Sequence, residues 1–472
     1  MATECIAQVT FDVQGLRQPV VARFDQPYAS SDGGAVLLKV LDDRLGVTER
    51  LAASLIDDRQ PGKVQHEVIE LVRQRVYGIA CGYADCHDAA RLAQDPVHKL
   101  LLERDPLAGP DLASQPTLSR FENAVGRQEL YLASLGLADL VIEHHRARLG
   151  GRARRITIDL DPTDDPTHGQ QEFTFFNAHY ATWCYLPVVA TLTFNTEPTQ
   201  YAVGAVLRPG NSPAKAGAIP LLRRLLARLR VAFPRARFRI RLDGGFASPE
   251  VFAFLEAEGV EYVVAMASNV RLVKRSRRLL GRARMLSKAS GQTEHLYGET
   301  RYAARKWPRK RRVIIKAEVV RHPGRDPKSN PRFVVTNLAD APEAVCAIYC
   351  GRGDMENRLK ELHQGLAPNS SVYPTSHAIS FDQYKTWVIS RQGAGGPPRG
   401  SASGDDDPAP GRRPDGMPHI ASERCIVPQP IEPVGAAPGR GSRWIVCIRG
   451  LMRIAGRRLA SGLEGRTTNV RW

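Results

Sequence analysis

Along residues 36–150 the apolar positions recur at helical spacing. Val36, Leu37, Leu38, Val40 and Leu41 open one segment, which Leu45 closes before Gly46. Val68, Ile69, Val72, Val76 and Ile79 line one face of another. Ser114-Gln115-Pro116 opens a further helix, running to Val125, with Thr117, Ser119 and Arg120 exposed near its start. Hydroxyls and an arginine at a helix start suit DNA contact, and equally suit a capped surface helix. From residue 155 the period drops to two. In RITIDLD (155–161), Ile156, Ile158 and Leu160 alternate with Thr157, Asp159 and Asp161, which predicts a strand. YLPVVATLTF (185–194) predicts a more deeply buried strand, and a helix follows around Ile219–Leu229. RFRIRLD (237–243) is another alternating strand, ending on Asp243. Gly244 and Gly245 then turn the chain, Ser248 caps a helix with Pro249 in its first position, and Gly259 stops it. EYVVAMA (261–267) is the next strand, and strand–helix–strand at this length indicates an α/β core.

The formal charge of +17 over 472 residues changes this picture, since so basic a chain points to a polyanionic partner such as nucleic acid. Residues 271–332 hold 20 Lys and Arg against 4 Asp and Glu, so nearly all of the excess sits in this block. Strands at VIIKAEVV (313–320) and FVVTNL (333–338), together with Tyr297, Tyr302 and Trp307 among the charges, favour a DNA surface over a merely solvated run. Arg309, Lys310, Arg311 and Arg312 are its densest cluster. No apolar leader and no 18-residue apolar run occur, which predicts a cytoplasmic, nucleoid-associated protein with no membrane partner. Cys81 with Cys86, and Cys346 with Cys350, lack paired CxxC spacing and predict reduced thiols rather than a zinc finger. The last 82 residues contain 14 Gly and 10 Pro, a composition that predicts disorder over 391–472 apart from a short basic helix at 443–460.

Two acids end separate strands of the α/β core, Asp161 and Asp243, and each is followed by a tight turn. Glu356 opens a helix, DMENRLKELHQGL (354–366), whose buried face is Met355, Leu359, Leu362 and Leu366. Three carboxylates without surplus His or Cys suit hard Mg²⁺ or Mn²⁺, two ions about 3.5–4 Å apart serving a phosphodiester. Each acid taken alone is equally a turn former or a solvated helix residue.

DLDPTDDPTHGQQEFTFFNAHY (159–180), LDGGFASPE (242–250) and YCGRGDMENRLKEL (349–362) resemble the three signature regions of DDE transposases. More narrowly, the chain resembles the insertion sequence 1380 family. SSDGGAVLLKVLDDRLG (30–46), LVRQRVYGIACGYADCHDAARLAQDP (71–96) and SQPTLSRFENAV (114–125) agree with it, so the resemblance covers roughly residues 20–390. It implies an α/β, ribonuclease-H-like catalytic domain at 151–390, interrupted by a basic β-rich insertion at 268–345 and preceded by a helical DNA-end-binding domain at 1–150. The first acid of such enzymes lies in Asp-x-Thr, which Asp161-Pro162-Thr163 matches, with Asp159 on the same strand face as the rival. The second and third acids map onto Asp243 and Glu356. Tyr349, Arg352 and Glu356 match a Tyr-x2-Arg-x3-Glu-x6-Lys signature, but its last position is His363, mostly neutral at pH 7, with Lys360 one turn earlier as a substitute. Those four basic or aromatic residues are expected at the DNA. The helix FDQYKTWVIS (381–390) should continue as apolar helix, and the abrupt Gly/Pro/Arg-rich tail implies an out-of-frame stretch.

The implied activity is cutting and rejoining of the chain's own insertion-sequence ends. Two Mg²⁺ or Mn²⁺ ions, double-stranded DNA (terminal inverted repeats and target) and a homodimer across the paired ends go with it. A nuclease with the same core, or a decayed, purely DNA-binding protein, are the alternatives.

Overall fold

The computed structural model describes residues 8–11, 20–23, 30–83, 86–167 and 173–366, with backbone alone at 8–11, 20–23, 127 and 361–366. The expected tail at 391–472, and the helix expected at 381–390, lie outside the described residues.

The N-terminal part holds a ribbon, β1 (Gln8–Phe11) and β2 (Val20–Arg23), and then seven helices. These are α1 (Val36–Leu45), α2 (Val47–Ala52), α3 (Val68–Ala80), α4 (Ala89–Leu92), α5 (Pro96–Leu101), α6 (Gln115–Ala124) and α7 (Arg127–Leu149). Gly46 ends α1 because it takes a left-handed backbone (φ 68°) that a side chain would disfavour. Val72, Val76 and Tyr77 of α3 pack with Leu51, Leu101, Leu137 and Leu140 into one core. Helix α7 serves two cores: Leu137 and Leu140 face the helices, while Ala138, Val141 and Ile142 face the sheet that follows.

After α7 come β3 (Arg155–Pro162), a small sheet of β4 (Asp165–Pro166), β5 (Phe175–Asn177) and β6 (Thr182–Tyr185), then β7 (Val188–Phe194) and β8 (Tyr201–Val206). Next are α8 (Ala218–Ala232), β9 (Arg237–Leu242), α9 (Pro249–Ala257), β10 (Glu261–Met266) and α10 (Val270–Ser290). The described chain closes with β11 (Glu294–Tyr302), β12 (Arg311–Val320), β13 (Lys328–Thr336), α11 (Pro342–Cys350) and α12 (Gly353–Leu366). Five strands in the order β8-β7-β3-β9-β10 have β8, β7 and β3 antiparallel and β3, β9 and β10 parallel. That is the ribonuclease-H-like α/β core. Ile156, Ile158, Leu160, Ile240 and Leu242 are buried beside Leu222, Leu226 and Leu229 of α8 and Val251 and Phe252 of α9.

The basic block holds three long strands, as expected of a β-rich insertion, and adds two features. It opens with the 21-residue helix α10. Its strands also continue the catalytic sheet, because β13 pairs antiparallel with β10 and carries β12 and β11 outward, giving eight strands in one sheet. No described helix is long and apolar enough to cross a membrane.

Candidate active site

Strand register builds the site. β3 and β9 run parallel with Asp159 opposite Arg241 and Leu160 opposite Leu242, so the next step along each strand sets Asp161 beside Asp243. Beyond that point β9 breaks because Asp243 turns back on its own chain, its Oδ1 accepting the Gly245 N–H at 2.9 Å. Gly245 suits this turn, since a Cβ there would lie 3.2 Å from that Oδ1 and 2.6 Å from the Ala214 methyl. Ser248 then caps α9 through the Val251 N–H, with Pro249 at the helix start.

On the other side of β3, Asp161 is paired across the ladder with Val189 of β7. Met355 and Leu359 of α12 bury themselves on Val189, which brings the start of α12 over Asp161. This apolar seat places Arg352 and Glu356. The Arg352 guanidinium donates to Asp161 Oδ1 at 2.5 Å and to Glu356 Oε1 at 3.1 Å, while its Nε is buried without a hydrogen-bond partner. Asp161 is 7% exposed, whereas the Glu356 side chain is 54% exposed. Burial pushes the Asp161 carboxyl up to about 7 against the pull of Arg352, and the nearby charges of Asp243 and Glu356 add to the rise. Tyr349, half-buried at the end of α11, is raised by burial and also feels Arg352 and all three acids.

Asp159, the rival first acid, is fully buried and already engaged. Arg241 grips it with a fork at 2.7 and 2.6 Å, and the Gln200 amide donates to it at 3.1 Å. The same guanidinium donates to the Ile348 carbonyl at 3.1 Å, and Gly351 leaves room for it, since a Cβ there would lie 2.5 Å from Arg241 Nη1.

Three carboxylates offer only oxygen donors, which fits hard divalent ions. The upward shift of Asp161 comes first from burial, with the charges of Asp243 and Glu356 adding, and a bound cation would favour its ionised form. Asp161, Asp243 and Glu356 do not all close to within 4.8 Å of one another. Arg352 bridges two of them, as a cation would.

The expected DNA contacts are placed very differently. Lys360 is exposed one turn beyond Glu356, and His363 is on α12 where only the backbone is described. Arg311 is 4% exposed, bound to Glu256 at 2.7 and 2.9 Å and laid over Phe252 and Trp307. Arg312 is tied to Glu299 and to the Leu338 carbonyl. Arg309 is largely exposed but reaches Glu256 at 2.6 Å, and Lys310 is exposed. Helix α10 offers instead Arg271, Lys274, Arg277, Arg278, Arg282 and Lys288, all exposed and paired with no carboxylate among the described residues. The sequence signal for it was present but weak: its buried face is Leu272, Ser276, Leu280, Ala283 and Ser287, helical in spacing but half small or polar.

A family model described as transposase DDE domain group 1 matches residues 13–378. Among solved structures, the chain is similar to the piggyBac transposase in its synaptic complex with hairpin DNA, at 12% identity and a TM-score of 0.34, over 76% of each chain. No curated protein matches it.

Proposed function

From the premise that the chain belongs to the transposase DDE domain group 1 family, we propose that Asp161, Asp243 and Glu356 form the centre that cuts the ends of its own insertion sequence and joins them to target DNA. The observation that carries this assignment is the division of labour on β3: Asp159 is consumed by Arg241 and Gln200, while Asp161 lies at the strand end with Asp243 and under Glu356. The three acids would hold two Mg²⁺ or Mn²⁺ ions, which when bound lower the pKa of water and stabilise both in-line oxygens at phosphorus.

The chain's own groups set up the rest. Strand ends fix Asp161 and Asp243 on the rigid sheet, and Met355 and Leu359 fix the third carboxylate through Val189. Arg352 holds Asp161 and Glu356 at a common charge, ready for exchange with a stronger cation. Helix α10, Lys310 and Lys360 carry exposed cations that would bind DNA phosphates. In this reading the N-terminal helices bind the terminal inverted repeats, and two chains pair the two ends.

The test is nicking of a duplex carrying the element's ends, in Mg²⁺. Asp161→Asn, Asp243→Asn and Glu356→Gln should each abolish nicking while gel-shift binding survives. Normal cutting by Asp161→Asn, with loss in a folded Asp159→Asn protein, would reverse the assignment. For the DNA surface, Gln at Arg271, Lys274, Arg277 and Arg278 should flatten the log–log salt slope by about 0.9 for each lost phosphate contact. The same change at 309–312 should flatten it less, because Arg311 and Arg312 are turned inward.

A further inference from the structure

A second cluster of metal-ligand side chains lies in the N-terminal helices, apart from the catalytic acids. Asp32 precedes α1, Cys81 follows the last residue of α3, and His98 is on α5. One ligand atom from each lies within 4.8 Å of the other two. His98 is completely buried, and its Nε2 is 2.9 Å from Asp32 Oδ2. Its other ring nitrogen, Nδ1, is also buried and has no hydrogen-bond partner among the described residues. Asp32 occupies a helix-capping position, yet its carboxylate caps nothing and is turned to His98.

We propose that Asp32, Cys81 and His98 form a binding site for a thiophilic divalent cation of the Zn²⁺ class, separate from the catalytic centre. Sulfur, imidazole and one carboxylate make a donor set that selects Zn²⁺ and is poor for Mg²⁺. Thiolate and carboxylate together cancel the ion's two charges, so the occupied site is neutral and compatible with burial. The proton balance is simple. Asp32 is held below the usual carboxylate range, opposing its burial, by hydrogen bonds from His98 and Tyr83. Cys81 is a free thiol. Cation binding forms the metal–sulfur bond and releases that one thiol proton to solvent. The ring proton moves from Nε2, where the cation binds, to Nδ1. A water completes four-coordination. The ion would tie the segment before α1 to the end of α3 and to α5, three pieces separated in sequence that otherwise meet through side chains alone.

The experiment uses the full chain, loaded with Zn²⁺ or Co²⁺ and passed over a weak chelating resin. We expect one equivalent of zinc retained, release of one proton per ion, and a thiolate-to-cobalt charge-transfer band in the Co²⁺ form. Cys81→Ser and His98→Asn should lose the band and weaken retention by more than the roughly 10–100-fold typical of a lost outer-shell partner. Cys350→Ser, at an exposed thiol elsewhere, should keep both. Asp161→Asn should also keep the zinc, which separates this site from the catalytic one. Absence of the cobalt band in the wild-type chain would overturn the proposal without any variant, and so would retention of the band in Cys81→Ser.

Discussion

Asp159 and Asp161 stand two residues apart on one face of one strand, and each is paired with an arginine, yet the two pairs are built differently. Arg241 comes from the neighbouring strand in exact register, meets Asp159 through a two-pronged fork in the middle of the sheet, and shares the acid with Gln200. Every oxygen of Asp159 is spoken for inside the protein. Arg352 comes from the turn between two helices, reaches the C-terminal end of β3, and divides its guanidinium between Asp161 and the largely exposed Glu356. A mid-sheet pair fixes structure, because removing it means rebuilding three elements. The pair at the strand end can be exchanged, because the carboxylate that shares its arginine, Glu356, already faces solvent. Identical residue types are thus held in different ways, according to the source of the countercharge.

The largest effect expected from this difference is on chemistry. Asp161→Asn should lower Mg²⁺-dependent nicking by at least about 10³-fold, roughly 4 kcal/mol of barrier, with no loss of thermal stability. The same substitution should change the pH response of the metal-free fold. Burial raises Asp161 from 3.8 to about 7, so the folded chain keeps a proton that the unfolded chain has released. Its stabilising contribution is therefore full below pH about 4 and is lost as pH rises through about 7. Urea midpoints measured in chelator across that window should fall with pH in the wild type and fall less in Asp161→Asn. Equal slopes would mean that Asp161 does not carry the raised shift.

Next in size is the mid-sheet pair. Arg241→Leu strands a buried carboxylate and should destabilise the fold by about 3–5 kcal/mol in urea, whereas the double variant with Asp159→Leu should recover most of it. If the single variant kept its stability, Asp159 would not depend on Arg241. Smaller again is Gln200→Ala, which removes one hydrogen bond to the same carboxylate and should cost about 1.5–3 kcal/mol by the same measurement, without altering the pH response assigned to Asp161.

Much of this was readable from local pattern. Alternation in RITIDLD and RFRIRLD marked β3 and β9, and the Gly-Gly turn with Ser248 and Pro249 marked the start of α9. Met355 and Leu359 on α12 were legible as a buried face, although their seat, Val189, was not. Helix α10 was missed because serines and an alanine fill much of its buried face, which blurs an apolar period. Arg309 to Arg312 looked like an exposed run, but Arg311, the first residue of β12, is buried against Glu256, while Lys310 just before the strand stays exposed.

By itself the sequence determined which segments are helix and strand wherever side-chain polarity alternates cleanly, and which acids end strands, since both are local properties of spacing and turn chemistry. It left open how Asp159 and Asp161 are each paired, whether the basic strands form a separate unit or extend the core sheet, and which cations face outward. Those were decided by strand register and by helix seating, through pairs such as Asp159 with Arg241, Val335 with Val264, and Val189 with Met355. The physical reason is that a buried charge takes its role from its partner, and partners 82 or 191 residues apart in the chain meet only once the sheet has closed.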